Sequence, residues 1–184
     1  RIINFLLLSK GKVKFEPDTE KLPIIQPELG FSVYQESITL NDVDLLTGDS
    51  GDDTIVGNDD ADVLDGAGGN DTLTGGNGAD TFKITVNTDT ITDLTTGDIL
   101  VVSSGATANA TNISNFVATS ATSNSSIANL TAGNSGSTIT MTNASNGAFT
   151  LTGGSGIDFL TGGSENDILN GGIGNDHLTG GGEA

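Results

Sequence analysis

Large apolar residues recur in this chain every nine positions. Ile55, Leu64, Leu73 and Phe82 form one series, and Leu160, Leu169 and Leu178 form a second. Each stands two places after an aspartate: Asp53, Asp62, Asp71, Asp80, Asp158, Asp167 and Asp176. In frame, the first block reads 48–56 (GDSGDDTIV), 57–65 (GNDDADVLD), 66–74 (GAGGNDTLT) and 75–83 (GGNGADTFK). The second reads 153–161 (GGSGIDFLT), 162–170 (GGSENDILN) and 171–179 (GGIGNDHLT). The residues around each apolar position suit a short strand with one large side chain pointing inward. The glycines that open most units suit tight turns with φ > 0. A repeat this short predicts a solenoid, in which a unit buries its apolar side only against its neighbours.

The flanking segments carry weaker patterns. Residues 39–47 (TLNDVDLLT) keep Asp44 and Leu46 in frame without the glycines, as a degenerate leading repeat would. Residues 84–152 are rich in Thr, Ser, Asn and Ala, and the runs 84–86, 99–103, 115–119 and 137–142 read as strands. Residues 144–152 (ASNGAFTLT) keep the repeat frame but place Phe149 where the aspartate belongs. The spacing from Asp80 to Asp158 is not a multiple of nine, so one continuous spiral requires an adjustment between the blocks. Residues 1–38 hold all three prolines and read as a linker or the tail of a preceding domain, with the apolar run 2–8 expected to be a strand of something upstream. The expected organisation is therefore 1–38 linker, 39–98 first block with a closing segment, 99–152 uncharged β segment, and 153–184 second block. The chain opens at Arg1 and stops inside a repeat, so a piece of a longer protein is expected.

Charge sharpens this reading. The formal net charge is −18. From Asp42 onward there are 19 acids and one base, Lys83, yet residues 99–157 carry no charge at all. Carboxylates crowded into the repeat blocks repel one another unless a cation sits between them. Nucleic acid is excluded as a partner, because there is no basic patch to meet a phosphate backbone. The apolar run at residues 2–8 is too short to span a membrane, and no transmembrane segment is expected. The chain has no cysteine and one histidine, which makes zinc a poor candidate. Turn carbonyls and carboxylates together form a hard-oxygen cage that suits Ca²⁺ better than the strictly octahedral Mg²⁺. No EF-hand string, no GxSxG elbow and no HExxH occurs, so no catalytic role is expected; His177 reads as a surface residue.

The units resemble the RTX, or hemolysin-type, calcium-binding nonapeptide family, with the pattern GGxGxDxUx. Residues 75–83, 153–161 and 171–179 match it fully, and the repeats cover roughly a third of the chain. Residues 89–100 (DTITDLTTGDIL) resemble the segment that closes such arrays. The resemblance implies an all-β parallel β-roll, a right-handed solenoid with two units per turn, in two blocks joined by a β-rich segment. It implies Ca²⁺ between turns two repeats apart, pairing Asp53 with Asp71, Asp62 with Asp80, and Asp158 with Asp176. Asp167 is left half a site, since its partner position is Phe149. Asp44, Asp60, Asp93, Asp98 and Glu165 stay open as further ligands. Asp49, Asn58 and Ala67 replace the second glycine, and Asp60 and Glu165 the fourth; these either strain the turn or add a carboxylate.

The function expected is a calcium-binding module of a secreted or cell-surface bacterial protein that folds on binding the ion. The alternatives are the RTX tail of a secreted protease, lipase or polysaccharide-modifying enzyme, and a self-associating adhesin or surface-layer segment.

Overall fold

The computed structural model describes residues 4–8, 12–15 and 43–182, the first two segments by their backbone only. The described chain is all β and forms three sheets. The first sheet contains β3 (Leu45–Thr47), β5 (Val63–Asp65), β7 (Thr81–Ile84), β9 (Ile99–Val102) and β12 (Ser123–Asn124). It begins with β1 (Asn4–Leu8) and β2 (Lys12–Phe15). The second contains β4 (Thr54–Asp59), β6 (Thr72–Asn77), β8 (Thr88–Ile91), β10 (Thr107–Ile113), β13 (Ile127–Ala132), β15 (Thr150–Thr152) and β17 (Ile168–Asn170). The third contains β11 (Asn115–Val117), β14 (Thr138–Thr140), β16 (Phe159–Thr161) and β18 (His177–Thr179). Apart from the antiparallel pair β1–β2, neighbouring strands run parallel, as the windings of a solenoid must. The strand expected near residues 2–8 is β1, and it pairs with β3 of this chain. The extended piece expected at 31–38 and the start of the leading repeat lie outside the described residues.

Successive windings in the first block are offset by two repeats: Leu46 pairs with Leu64 and Leu64 with Phe82, while Ile55 pairs with Leu73. Each strand alternates buried and outward residues, and the apolar repeat position is the buried one. Stacked columns of these side chains make the core. One runs Leu46, Leu64, Phe82, Leu100; another continues through Ile55, Leu73 and Ile91 to Leu130 and Leu151. Leu169 is only partly buried and Leu178, on the last described strand, is 47% exposed.

The adjustment between the blocks is visible in the register of the second sheet. Thr90 pairs with Asn109, Asn109 with Asn129 and Asn129 with Thr150. These windings exceed two repeats by one, two and three positions in turn, before the two-repeat offset returns between Thr150 and Ile168. The longer windings admit the third sheet, while the first sheet ends at β12. The second sheet thus runs through both repeat blocks and the uncharged segment between them. A change of core accompanies the change of winding. The aspartate column Asp53, Asp71, Asp89 continues as Ala108, Ala128 and Phe149, all buried, and returns to carboxylate at Asp167. Where no glycine turn and carboxylate form the corner, apolar side chains fill it.

Candidate metal centre

Each repeat aspartate is the last residue of a turn and immediately precedes a strand, so the strand fixes its backbone and the turn encloses its side chain. Asp53, Asp62, Asp71, Asp80 and Asp158 are buried, and so are Asp44, Asp89 and Asp98. Fully buried carboxylates are rare unless paired, protonated or bound to metal.

One hydrogen bond repeats along the stack. The backbone amide of an aspartate donates to Oδ1 of the aspartate one winding later: Asp53 to Asp71 at 2.9 Å, Asp62 to Asp80 at 2.8 Å, and Asp158 to Asp176 at 3.0 Å. The three pairs expected from the repeat frame are therefore adjacent in space. The ladder also extends beyond them, from Asp44 to Asp62, Asp71 to Asp89 and Asp80 to Asp98. Asp167 accepts from the amide of Phe149 at 2.7 Å, and the phenyl ring there is buried in the core.

The second carboxylate oxygen separates the sites into two kinds. In Asp53, Asp158 and Asp167, Oδ2 accepts from the amide of the second turn residue, Asp49, Gly154 or Gly163, at 2.7–3.0 Å. In the turns ending at Asp62 and Asp71 the second residue is left-handed, Asn58 at φ 85° and Ala67 at φ 62°. Their Oδ2 atoms, and that of Asp89, are buried and accept from no amide or hydroxyl, although the carboxyls of Asp71 and Asp89 are close enough to share a proton. Asp98 differs again: Oδ2 accepts from both the amide and the hydroxyl of Thr95, so the protein itself closes this end of the column.

Burial pushes the carboxyls of Asp53, Asp62, Asp71 and Asp98 above the usual range, partly offset by the amides that donate to them. Burial and neighbouring carboxylates push Asp80 up to about 6, and burial with the charge of Asp71 pushes Asp89 up to about 7. Without a cation, Asp89 is about half protonated near pH 7 and Asp80 near pH 6.

The first glycine of each unit makes room for the carboxylate. A Cβ added at Gly48 would stand 2.5 Å from Asp53 Oδ2, and one at Gly153 2.6 Å from Asp158 Oδ2. The carbonyl oxygens of Gly66 and Gly171, one winding later, press on the same two positions. Carboxylate and carbonyl oxygens thus converge around the glycine. Among the described residues no three acidic or histidine side chains meet at one point. A cage here is made of one or two carboxylates completed by main-chain carbonyls, a donor set of hard oxygens that fits Ca²⁺.

The remaining acids fall outside this geometry. Asp60 is exposed and left-handed at φ 77°, so it strains its turn, and Glu165 is exposed. Asp93 accepts from the amides of Gly75 and Gly76 at 2.9 and 2.8 Å. His177 is exposed and stacks on Phe159, with ring centroids 4.6 Å apart. Asp89 was not among the expected site residues, although its distance of two repeats from Asp71 was legible.

Residues 41–82 and 152–184 match the family model of the RTX calcium-binding nonapeptide repeat, in four copies. These two segments belong to the RTX calcium-binding repeat family. With its parallel windings, the chain carries a calcium-binding β-roll module. Strands within each RTX segment pair at two repeats per turn, a spacing that continues to residue 102, and the longer windings begin beyond it. No curated protein and no solved structure matches the chain. Among the described residues no helix is long and apolar enough to cross a membrane.

Proposed function

We propose that Ca²⁺ is held between turns one winding apart, with Asp53 and Asp71, Asp62 and Asp80, and Asp158 and Asp176 as the carboxylate ligands. Asp89 extends the first of these columns. The observation that carries this reading is the trio of buried oxygens that accept from no amide or hydroxyl: Oδ2 of Asp62, Asp71 and Asp89. A buried carboxylate oxygen without a donor costs several kcal/mol unless a proton or a cation meets it. At neutral pH and millimolar Ca²⁺, the cation is the better partner. Asp167, with a phenyl ring in the partner position, contributes least; both its oxygens accept from backbone amides, as do those of Asp158 from Ser137 and Gly154, but Asp158 has Asp176 one winding later.

The same chemistry couples the ion to folding. The columns of like charge oppose the rolled state, and Ca²⁺ bound only to that state adds its binding free energy to folding. A module of this kind stays unfolded where calcium is scarce and rolls up where it is plentiful, which supports a secreted or cell-surface role. A calcium titration followed by circular dichroism tests this. A coil-to-β transition is expected with Ca²⁺ and a weaker one with Mg²⁺. A β spectrum unchanged in excess chelator would overturn the coupling.

A further inference from the structure

The outward side of the second sheet is unlike that of the first. The fourteen residues that flank its buried apolar column comprise nine threonines, three asparagines, Val56 and Ile168; the register is interrupted by a bulge at residues 110–113, and Asp59 lies exposed at the far end of β4. Residues 72–74, 90–92 and Thr150–Thr152 each read Thr-apolar-Thr, with the apolar residue buried. Residues 109–111 and 129–131 read Asn-apolar-Thr. Strand propensity does not explain this choice, since the first sheet, wound from the same coils, places Leu45, Val63, Ile99, Asp65 and Lys83 outward.

We propose that this face binds ice. Threonine has a stiff χ1, so its hydroxyl and methyl are held in fixed positions. Hydrogen bonds along the columns hold them further: Thr74 Oγ1 to Thr92 Oγ1 at 2.7 Å, and Asn129 Nδ2 to Asn109 Oδ1 at 2.8 Å. Parallel strands repeat every ~4.8 Å, and residues two apart along a strand stand ~6.6 Å apart. Tetrahedral water joined by hydrogen bonds of ~2.75 Å repeats every ~4.5 Å between second neighbours and every ~7.3 Å along the stacking axis. The mismatch of ~0.3 Å per strand reaches half a lattice spacing only after roughly seven strands, the height of this sheet. A neutral lattice of water matches a neutral face, whereas a charged side chain would retain its own hydration shell. The fourteen positions hold no aromatic ring on which a sugar could stack, which sets ice above a polysaccharide crystal.

The test is ice shaping and thermal hysteresis with the chain in Ca²⁺, with circular dichroism of the same sample reporting β content. Thr131→Tyr and Thr150→Tyr should abolish both effects and leave the β spectrum unchanged, while Thr81→Tyr on the first sheet should retain them. A folded chain that neither shapes ice nor depresses its growth overturns the proposal, as does ice activity that survives both face variants. Retention on crystalline cellulose or chitin, lost in the same variants and without ice activity, would assign the face to a polysaccharide and overturn it equally. A chain with no β spectrum in either calcium or chelator would remove the face together with the fold. Folding that ignores calcium would leave the ice assay valid while overturning the coupling of calcium to folding.

Discussion

The amide of Asp53 donates to Oδ1 of Asp71, 18 residues further along the chain and 2.9 Å away. This contact aligns one turn above another and leaves Asp71 Oδ2 buried without a donor. The corresponding oxygen of Asp167 is occupied by the amide of Gly163. Asp71→Ala should therefore weaken the calcium response more than Asp167→Ala. The calcium midpoint of the circular dichroism transition should rise about tenfold or more for the first, about 1.4 kcal/mol or more, and change little for the second. Equal shifts would count against pairing by winding.

A methyl group can test the cradle without removing a ligand. A Cβ at Gly66 would collide with the Asp71 carboxylate, whereas one at Gly68 would sit 3.6 Å from its nearest neighbour. Gly66→Ala should raise the calcium midpoint by about tenfold, and Gly68→Ala should leave it nearly unchanged. Isothermal titration of both variants checks the contrast.

The raised carboxyls give the calcium-free protein a definite pH dependence. With folded values of about 6 for Asp80 and about 7 for Asp89, against 3.8 for a free carboxyl, the folded state binds more protons through that window. Stability in chelator is therefore fully present below about pH 4 and is lost as pH rises toward about 7. The β signal in excess chelator should be stronger at pH 5 than at pH 8. A signal that grows with pH would contradict the burial of these groups.

Core position should govern stability in the calcium-loaded state. Leu73 is fully buried, and Leu178 is 47% exposed. Leu73→Ala should cost about 2–5 kcal/mol and Leu178→Ala under about 1 kcal/mol. Thermal denaturation at saturating calcium measures both.

Much of the first block was legible because its chemistry is local. A turn of glycines, an aspartate and an apolar residue two places later recur at fixed spacing, so the strand and the buried side chain follow from position, and the pairing two repeats apart follows from the resemblance to the RTX family. The middle segment was legible only in part. The runs at 99–103, 115–119 and 137–142 contain β9, β11 and β14. However, in β10 and β13 the strand signal of Thr and Ile is diluted by Ala and Asn, which disfavour strands until the neighbouring windings supply their partners.

The sequence by itself determined that the chain rolls in units of nine and that the ion suited to its carboxylates is hard and divalent, and its resemblance to the RTX family gave which aspartates stack on successive windings. Only the tertiary structure decided how two out-of-phase blocks share one sheet, through windings lengthened stepwise by one, two and three positions and a third sheet that opens between them. It alone separated the carboxylates that the backbone satisfies from those left needing a cation. The physical reason is the same in both cases. Spacing within a repeat is set by bonds along the chain, whereas the register between windings and the partner of each buried oxygen depend on atoms a full winding or more away.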